Sequence, residues 1–306
     1  MSVELAVVTG GGGFIGSHLA ESLLERGVRV RVVDNFATGV RAHVPSGAEL
    51  LEGDVNDVAA RAVRGASVVY HLAALPSVPR SVAQPLESHR ATAQGTLAVL
   101  AASEQAGVKR VVFSSSSSVY GDTTALPKHE GMVPKPLSPY AAAKLAGEEY
   151  ARSWADRGTL ETVSLRFFNV YGPRQDPDSP YAAVIPIFIR RLAEGKPMPV
   201  YGDGAQTRDF TYVADVVDGL IRSGSVAGIS GRVYNIAGGR PVSVLDLGRT
   251  LATLMGRSPD FEFRPPRPGD IRDSFADAMS ARRDLGFVAA IPLEEGLRRT
   301  MARRPS

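Results

Sequence analysis

Leu5-Ala6-Val7-Val8-Thr9-Gly10-Gly11-Gly12-Gly13-Phe14-Ile15-Gly16 is the stretch on which the fold turns. A short β-branched run reaches a loop of glycines. From Phe14 the apolar residues take helical spacing over 14–26, and Gly27 ends the helix. A second strand comes next over 28–33 and closes on Asp34. Gly10, Gly13 and Gly16 stand where a backbone turns sharply and a pyrophosphate must come close to main-chain N–H groups. The helix N-terminus adds partial positive charge and unpaired donors. Asp34 is positioned to bind both hydroxyls of an adenosine ribose and to repel a 2′-phosphate, so the loop reads as an NAD site in preference to NADP. Asp54-Val55, after a third strand, reads as flanking the adenine, although an aspartate there also serves as a turn former.

Strands and long helices continue to alternate. Residues 68–72 read as a strand, 85–106 as a long helix, 110–114 as a strand, 138–157 as a helix and 162–168 as a strand. That order means crossover units and a parallel sheet covered on both faces, a Rossmann-type doubly wound α/β fold. After Phe168 proline and glycine become frequent, and a strand over 232–236 and a helix over 244–255 precede a Pro-rich stretch at 264–268. This is expected to be a smaller C-terminal α/β substrate-binding lobe. The division is an NAD-binding domain over 1–170 and a nucleotide-sugar lobe over 171–306, with interleaved segments. The five serines of 114–118 read as a loop at a strand end.

Composition narrows the chemistry. With 44% apolar and 22% charged residues the chain has an ordinary globular balance. A net charge of +3 without a clustered basic stripe gives no nucleic-acid footprint. There is no cysteine, which removes disulfides, thiolate nucleophiles and zinc-thiolate sites, and no metal site is expected. No apolar run reaches membrane-spanning length, no signal peptide precedes the first strand, and the expected compartment is the cytoplasm.

The candidate chemistry lies in Ser138-Pro139-Tyr140-Ala141-Ala142-Ala143-Lys144. A phenol titrates near pH 10 and is a poor base at neutrality. Lys144 lies one helical turn beyond Tyr140 on the same face, so its ammonium, with a positive nicotinamide ring, is expected to lower the phenol's pKa. Ser116, near the end of the strand at 110–114, is expected to hydrogen-bond the reacting hydroxyl and hold it against Tyr140.

The chain resembles the extended short-chain dehydrogenase/reductases, specifically the nucleotide-sugar epimerases and dehydratases related to UDP-galactose 4-epimerase. The resemblance runs through Thr9-Gly10-x-x-Gly13-x-x-Gly16, His71-Leu72-Ala73-Ala74, Ser114-Ser115-Ser116, Val119-Tyr120-Gly121 and Tyr140-x-x-x-Lys144. It continues in Arg166-Phe167-Phe168-Asn169-Val170-Tyr171-Gly172-Pro173-Arg174, Arg208-Asp209-Phe210 and Arg267-Pro268-Gly269-Asp270. It implies cofactor contacts from Phe14, Ile15, Asn35, Thr38, Gly39, Leu72, Ala73, Ala74, Ser114, Tyr140 and Lys144. For a UDP-sugar substrate it implies Asn169, Arg208 and Arg267 at the diphosphate and Asp270 at the ribose, with the backbone near Val200 and Tyr201 reading uracil. Ser274, a small residue where relatives differ in bulk, implies room for an N-acetyl group.

Within that family the outcome depends on the fate of the 4-keto sugar. The dehydratases and decarboxylases use acidic groups just before Val-Tyr-Gly, where this chain has Ser117 and Ser118. Epimerases acting at carbons 3 and 5 use cysteine, which is lacking here. The resemblance therefore implies a 4-epimerase of UDP-glucose/galactose and of their N-acetyl analogues. UDP-glucuronate 4-epimerisation, a dehydration by other groups, and a non-catalytic NAD-binding regulator remain as alternatives. One departure is Thr92-Ala93-Gln94-Gly95-Thr96, where an asparagine is usual. Relatives pair as homodimers through the helices at 85–106 and 138–157, and the same is expected here.

Overall fold

β1 (Leu5–Thr9) is buried at every position, as a strand covered on both faces must be. It belongs to the first half of the chain, which in the computed structural model runs β1, α1 (Phe14–Glu25), β2 (Arg29–Asp34), β3 (Glu49–Glu52), α2 (Val55–Ala62), β4 (Val68–His71), α3 (Val78–Ala83), α4 (Pro85–His89), α5 (Gly95–Gln105), β5 (Arg110–Ser116), α6 (Pro139–Asp156) and β6 (Glu161–Phe167). The second half runs β7 (Val170–Tyr171), α7 (Val184–Ala193), β8 (Met198–Tyr201), β9 (Thr207–Asp209), β10 (Thr211–Tyr212), α8 (Val213–Ser225), β11 (Arg232–Ile236), β12 (Pro241–Ser243), α9 (Val244–Leu254), β13 (Phe261–Arg264), β14 (Asp273–Ser274), α10 (Met279–Leu285) and α11 (Leu293–Ala302). The structure describes residues 4–176, 182–266 and 271–302.

Seven strands form one sheet in the order β11-β6-β5-β4-β1-β2-β3, and every neighbouring pair is parallel. Successive side chains point to opposite faces. Val8, Val32, Val68 and Val112 enter a core with Leu19 and Leu23 of α1 and Val216 and Leu220 of α8. Val7, Val33, Val69 and Val111 enter the other, against Val55 and Ala59 of α2 and Val99 and Leu100 of α5. The expected doubly wound Rossmann-type sheet is thus present.

The chain after Tyr171 contributes to both lobes. α8 packs on α1, and β11 pairs with β6 through Arg232↔Val163 to Ile236↔Phe167. A separate core holds the smaller lobe, with Phe188, Val200, Leu247, Leu251 and Leu297 at its centre. Two small sheets, β12-β9-β14 and β13-β8, stand in this lobe.

Two local expectations change. The helix at 85–106 is broken: a π-helical turn over 90–94 separates α4 from α5. At this turn Thr96 Oγ1 donates to the Thr92 carbonyl at 2.6 Å and contacts His71 Nε2 at 3.1 Å, which holds the widened turn against the sheet. Nor are the serines all loop. Ser114 to Ser116 are the last residues of β5, paired with Leu165 to Phe167, and only 117–120 turn away as a 3-10 helix. Among the described residues no helix is long and apolar enough to cross a membrane, and no acidic or histidine group is arranged to hold a metal.

Candidate active site

The glycine loop can exist only without side chains. Gly10 has φ +71°, and a Cβ there would lie 2.9 Å from the Ala73 nitrogen. A Cβ on Gly16 would collide with the Gly10 carbonyl oxygen, so the first turn of α1, including Phe14 and Ile15, rests directly on the loop. Gly13 caps α1 without a side-chain bond, which leaves the helix's first N–H groups facing the loop. Asp34 Oδ2 accepts from the Gly12 N–H and Oδ1 from the Phe36 N–H, both at 2.8 Å. Added Cβ atoms at Gly12 and Gly39 would come within 3.1 and 2.9 Å of that carboxylate. A backbone cradle with an acid at its rim, closed to any side chain, fits the pyrophosphate and adenosine ribose of NAD.

The rest of the expected cofactor edge is partly occupied by its own contacts. Asn35 Nδ2 lies 3.5 Å from Asp54 Oδ2, which brings the ends of β2 and β3 together. Asp54 is the N-cap of α2, accepting from the Asn56 N–H at 2.9 Å, and Val55 is buried in the core. Thr38 is exposed on the loop after β2. Leu72, Ala73 and Ala74 come directly after β4, with the Ala73 N–H on Thr9 Oγ1 at 3.2 Å. Thr96 spends its hydroxyl hydrogen on the Thr92 carbonyl, so it accepts from His71 Nε2–H, and Nδ1 of the neutral ring accepts from the Thr9 hydroxyl at 2.7 Å. Burial pushes His71 down to about 3, so it is a neutral spacer.

Tyr140 and Lys144 sit in the first turns of α6, which Ser138 caps by accepting from the Ala141 N–H at 3.2 Å, with Pro139 at the first helical position. Lys144 is buried, and its Nζ donates to the Ser114 carbonyl at 2.6 Å. It lies 5.9 Å from the Tyr140 ring centroid and 5.1 Å from that of Phe113. Ser116 Oγ accepts from the Ser118 N–H at 3.2 Å as it caps the 3-10 turn, and its hydroxyl is beside Tyr140. The expected lowering of the phenol's pKa does not hold in the protein alone. Burial pushes Tyr140 up to about 12, with the Ser116 hydrogen bond opposing, and pulls Lys144 down to about 7, with Glu148 opposing. Desolvation outweighs the pairing because the ammonium points at a carbonyl and not at the phenol oxygen.

Asn169, Tyr201 and Arg208 line a cavity of about 570 Å³ in the smaller lobe, together with Gln206, Arg264 and Phe210. Gln206, Arg264, Arg190 and Arg191 were not expected from the sequence, where only their basic or amide character signalled them. Four arginines around one cavity suit an anionic ligand. β9 is held beside it by Asp209, which is buried and accepts from the Gly238, Gly239 and Ala276 N–H groups; burial pushes its carboxyl up to about 6. Ser274 pairs with Arg208 in register and is buried.

Val200 corrects an expectation. The Met198 N–H reaches the Asp260 carbonyl and the Gly202 N–H reaches the Arg264 carbonyl, so the even-numbered groups of β8 face β13. Val200 spends its backbone on that pairing and its side chain on the core. The Pro199 carbonyl and Tyr201 N–H face the opposite edge, where both residues line the cavity. Arg267 and Asp270 lie outside the described residues.

The profile of the "NAD dependent epimerase/dehydratase family" matches residues 6–237. The chain is 38% identical to the UDP-glucose 4-epimerase of Mycolicibacterium smegmatis, over 96% of each chain. Its structure is similar to that of the UDP-N-acetylglucosamine 4-epimerase from Methanobrevibacter ruminantium in complex with UDP-N-acetylmuramic acid, with TM-score 0.94 and 37% identity over 99% of this chain and 98% of that one. It is also similar to MoeE5 in complex with UDP-glucuronic acid and NAD, with TM-score 0.89 and 41% identity over 97% of each chain. By its glycine cradle, its seven-stranded sheet and this likeness along almost its whole length, the chain belongs to the NAD-dependent epimerase/dehydratase family.

Proposed function

We propose that this protein is an NAD-dependent UDP-hexose 4-epimerase, acting on UDP-glucose/galactose and on UDP-GlcNAc/GalNAc. The observation that carries the reading is Tyr140, with the Ser116 hydroxyl beside it and Lys144 one turn deeper, at the carboxyl edge of the sheet. Ser116 holds the sugar's 4-hydroxyl, and Tyr140 takes its proton and later returns it. NAD, when bound in the glycine cradle, supplies a reversible hydride acceptor for carbon 4. Lys144 and the positive charge of the bound cofactor offset the burial that otherwise keeps the phenol neutral. Asn169 and Arg208 hold the diphosphate, joined by Arg267, and Asp270 takes the ribose hydroxyls. The Pro199 carbonyl and Tyr201 N–H offer an acceptor and a donor two residues apart, which match the imide edge of uracil.

The turn after β5 supports epimerisation over elimination. Ser117 and Ser118 offer no carboxylate to carry the proton that loss of water or of carbon dioxide requires. Ser274 is small, next to Arg208 in register, and supports tolerance of an N-acetyl group. The arginines of the cavity favour a second reading, with UDP-glucuronate as substrate. A homodimer through α3 to α6 is supported by Val82 and Leu86, which are 65% and 85% exposed on these helices. Light scattering on the purified protein measures its mass, and a monomer at micromolar concentration would refute the dimer.

The deciding experiment incubates pure protein separately with UDP-glucose, UDP-GlcNAc and UDP-glucuronate and follows the sugar signals by NMR. Expected are the axial 4-hydroxy epimers with mass conserved. Loss of water, or no conversion of any of the three, would remove the assignment.

A further inference from the structure

Glu148 stands one helical turn beyond Lys144 on α6, as Lys144 stands one turn beyond Tyr140. It is 4% exposed, and its carboxylate accepts from Arg166 Nε at 2.9 Å, from Arg166 Nη2 at 2.6 Å and from the Ser115 hydroxyl. Arg166, on β6, is 3% exposed and lies 4.6 Å over the Tyr120 ring. A buried ion pair generally stabilises a fold no better than apolar side chains of the same size. This one adjoins the candidate chemistry. Lys144 holds the Ser114 carbonyl and Glu148 holds the Ser115 hydroxyl, so α6 grips two successive residues of β5 just before Ser116.

We propose that Glu148, paired with Arg166, is a positioning residue that places a negative charge one helical turn from Lys144 and clamps the end of β5, so that Ser116 and Tyr140 meet the same substrate hydroxyl. This rests on the reading of Tyr140 as the acid–base group. The charges surrounding Lys144 agree with it. Burial pulls its ammonium down to about 7, and Glu148 is the charge that opposes. His71, facing it from β4, is neutral, and Tyr140 on its own helix is held protonated by burial. Arg166, from β6, is spent on Glu148. The charges on the helices packed along α6 are engaged elsewhere: Arg80 with Glu87, Arg90 with Asp57, Glu104 with Trp154 and Arg157, while His89 is exposed.

Protein labelled with nitrogen-15 lysine is titrated by NMR without substrate, Lys144 being assigned by the signal lost in Lys144→Met. Glu148→Gln alone strands the Arg166 charge in the interior, so Glu148→Gln/Arg166→Met, which removes both charges at similar volume, is the deciding variant. Its Lys144 midpoint is expected to fall by about one pH unit or more. The alkaline limb of kcat moves to lower pH with it, and Glu148→Asp keeps both near the parent values. A folded double variant with an unmoved Lys144 titration overturns the proposal, as does a double variant that fails to fold, which would assign the pair to the fold alone. A parent protein that converts no UDP-hexose would refute the epimerase reading instead, and the Lys144 titration would still decide this one.

Discussion

Lys144→Met keeps an unbranched side chain one atom shorter and removes its charge. Nζ lies 5.9 Å from the Tyr140 ring centroid. At an effective dielectric constant of about 20, one unit charge at that distance is worth about 3 kcal/mol to the phenolate. That is roughly a hundredfold in the fraction of Tyr140 ionised. Because burial already pushes the phenol up to about 12, the variant has no reserve to absorb the loss. We predict that kcat at neutral pH falls by roughly a hundredfold. The same charge sets the sign of its pH dependence. A cation favours the ionised phenol, so removing it raises the phenol's pKa, and the deficit is largest at low pH and narrows as pH rises. The assay is conversion of UDP-galactose to UDP-glucose, coupled to UDP-glucose oxidation, from about pH 6 to about pH 10, with bound NAD quantified after denaturation. A loss of the same size at every pH, or no loss at all, would refute the electrostatic role of Lys144.

Three further outcomes are expected. Tyr140→Phe should lower kcat by about 10²–10⁴-fold while NAD content and thermal unfolding stay unchanged, and full turnover in that variant would displace Tyr140 as the base. Arg208→Ala removes a cation from the cavity wall, so KM for UDP-sugars should rise by about tenfold or more with kcat at saturation little altered; an unchanged KM counts against the cavity as the diphosphate site. Arg110 is 2% exposed and donates to the Ser223 and Val226 carbonyls at 2.9 and 2.6 Å while pairing with Glu161, so it ties the end of α8 to the sheet. Arg110→Met should therefore cost about 3 kcal/mol in denaturant unfolding, and a loss below the scatter of the measurement would contradict its role.

The candidate site was legible to very different degrees. The glycine loop could be read because positive φ and close backbone approach demand glycine at particular places, as at Gly10 and Gly16. Tyr140 and Lys144 could be paired because helical spacing alone brings them to one face. The same spacing reaches Glu148, but nothing local indicates that Arg166, from a different element, closes on it. Asp54 illustrates the opposite difficulty: its position after a strand suits a ligand and a helix cap equally, and the structure shows it capping α2. For Val200 and Tyr201 the sequence could not say which residues turn their amides outward, since that depends on the register with β13.

What the amino-acid sequence determined by itself was whatever a few consecutive residues enforce through backbone sterics and periodicity: the strand, glycine loop and helix at the start, the two-faced buried strands, and the Tyr140–Lys144 spacing. Only the tertiary structure decided that β11 returns to flank β6, and that Asn169, Gln206, Arg208 and Arg264 surround one cavity. It likewise decided that burial, and not the neighbouring ammonium, sets the protonation of Tyr140 in the protein alone. Those outcomes depend on which distant surfaces exclude water from one another, a competition among segments far apart in the chain that no local pattern records.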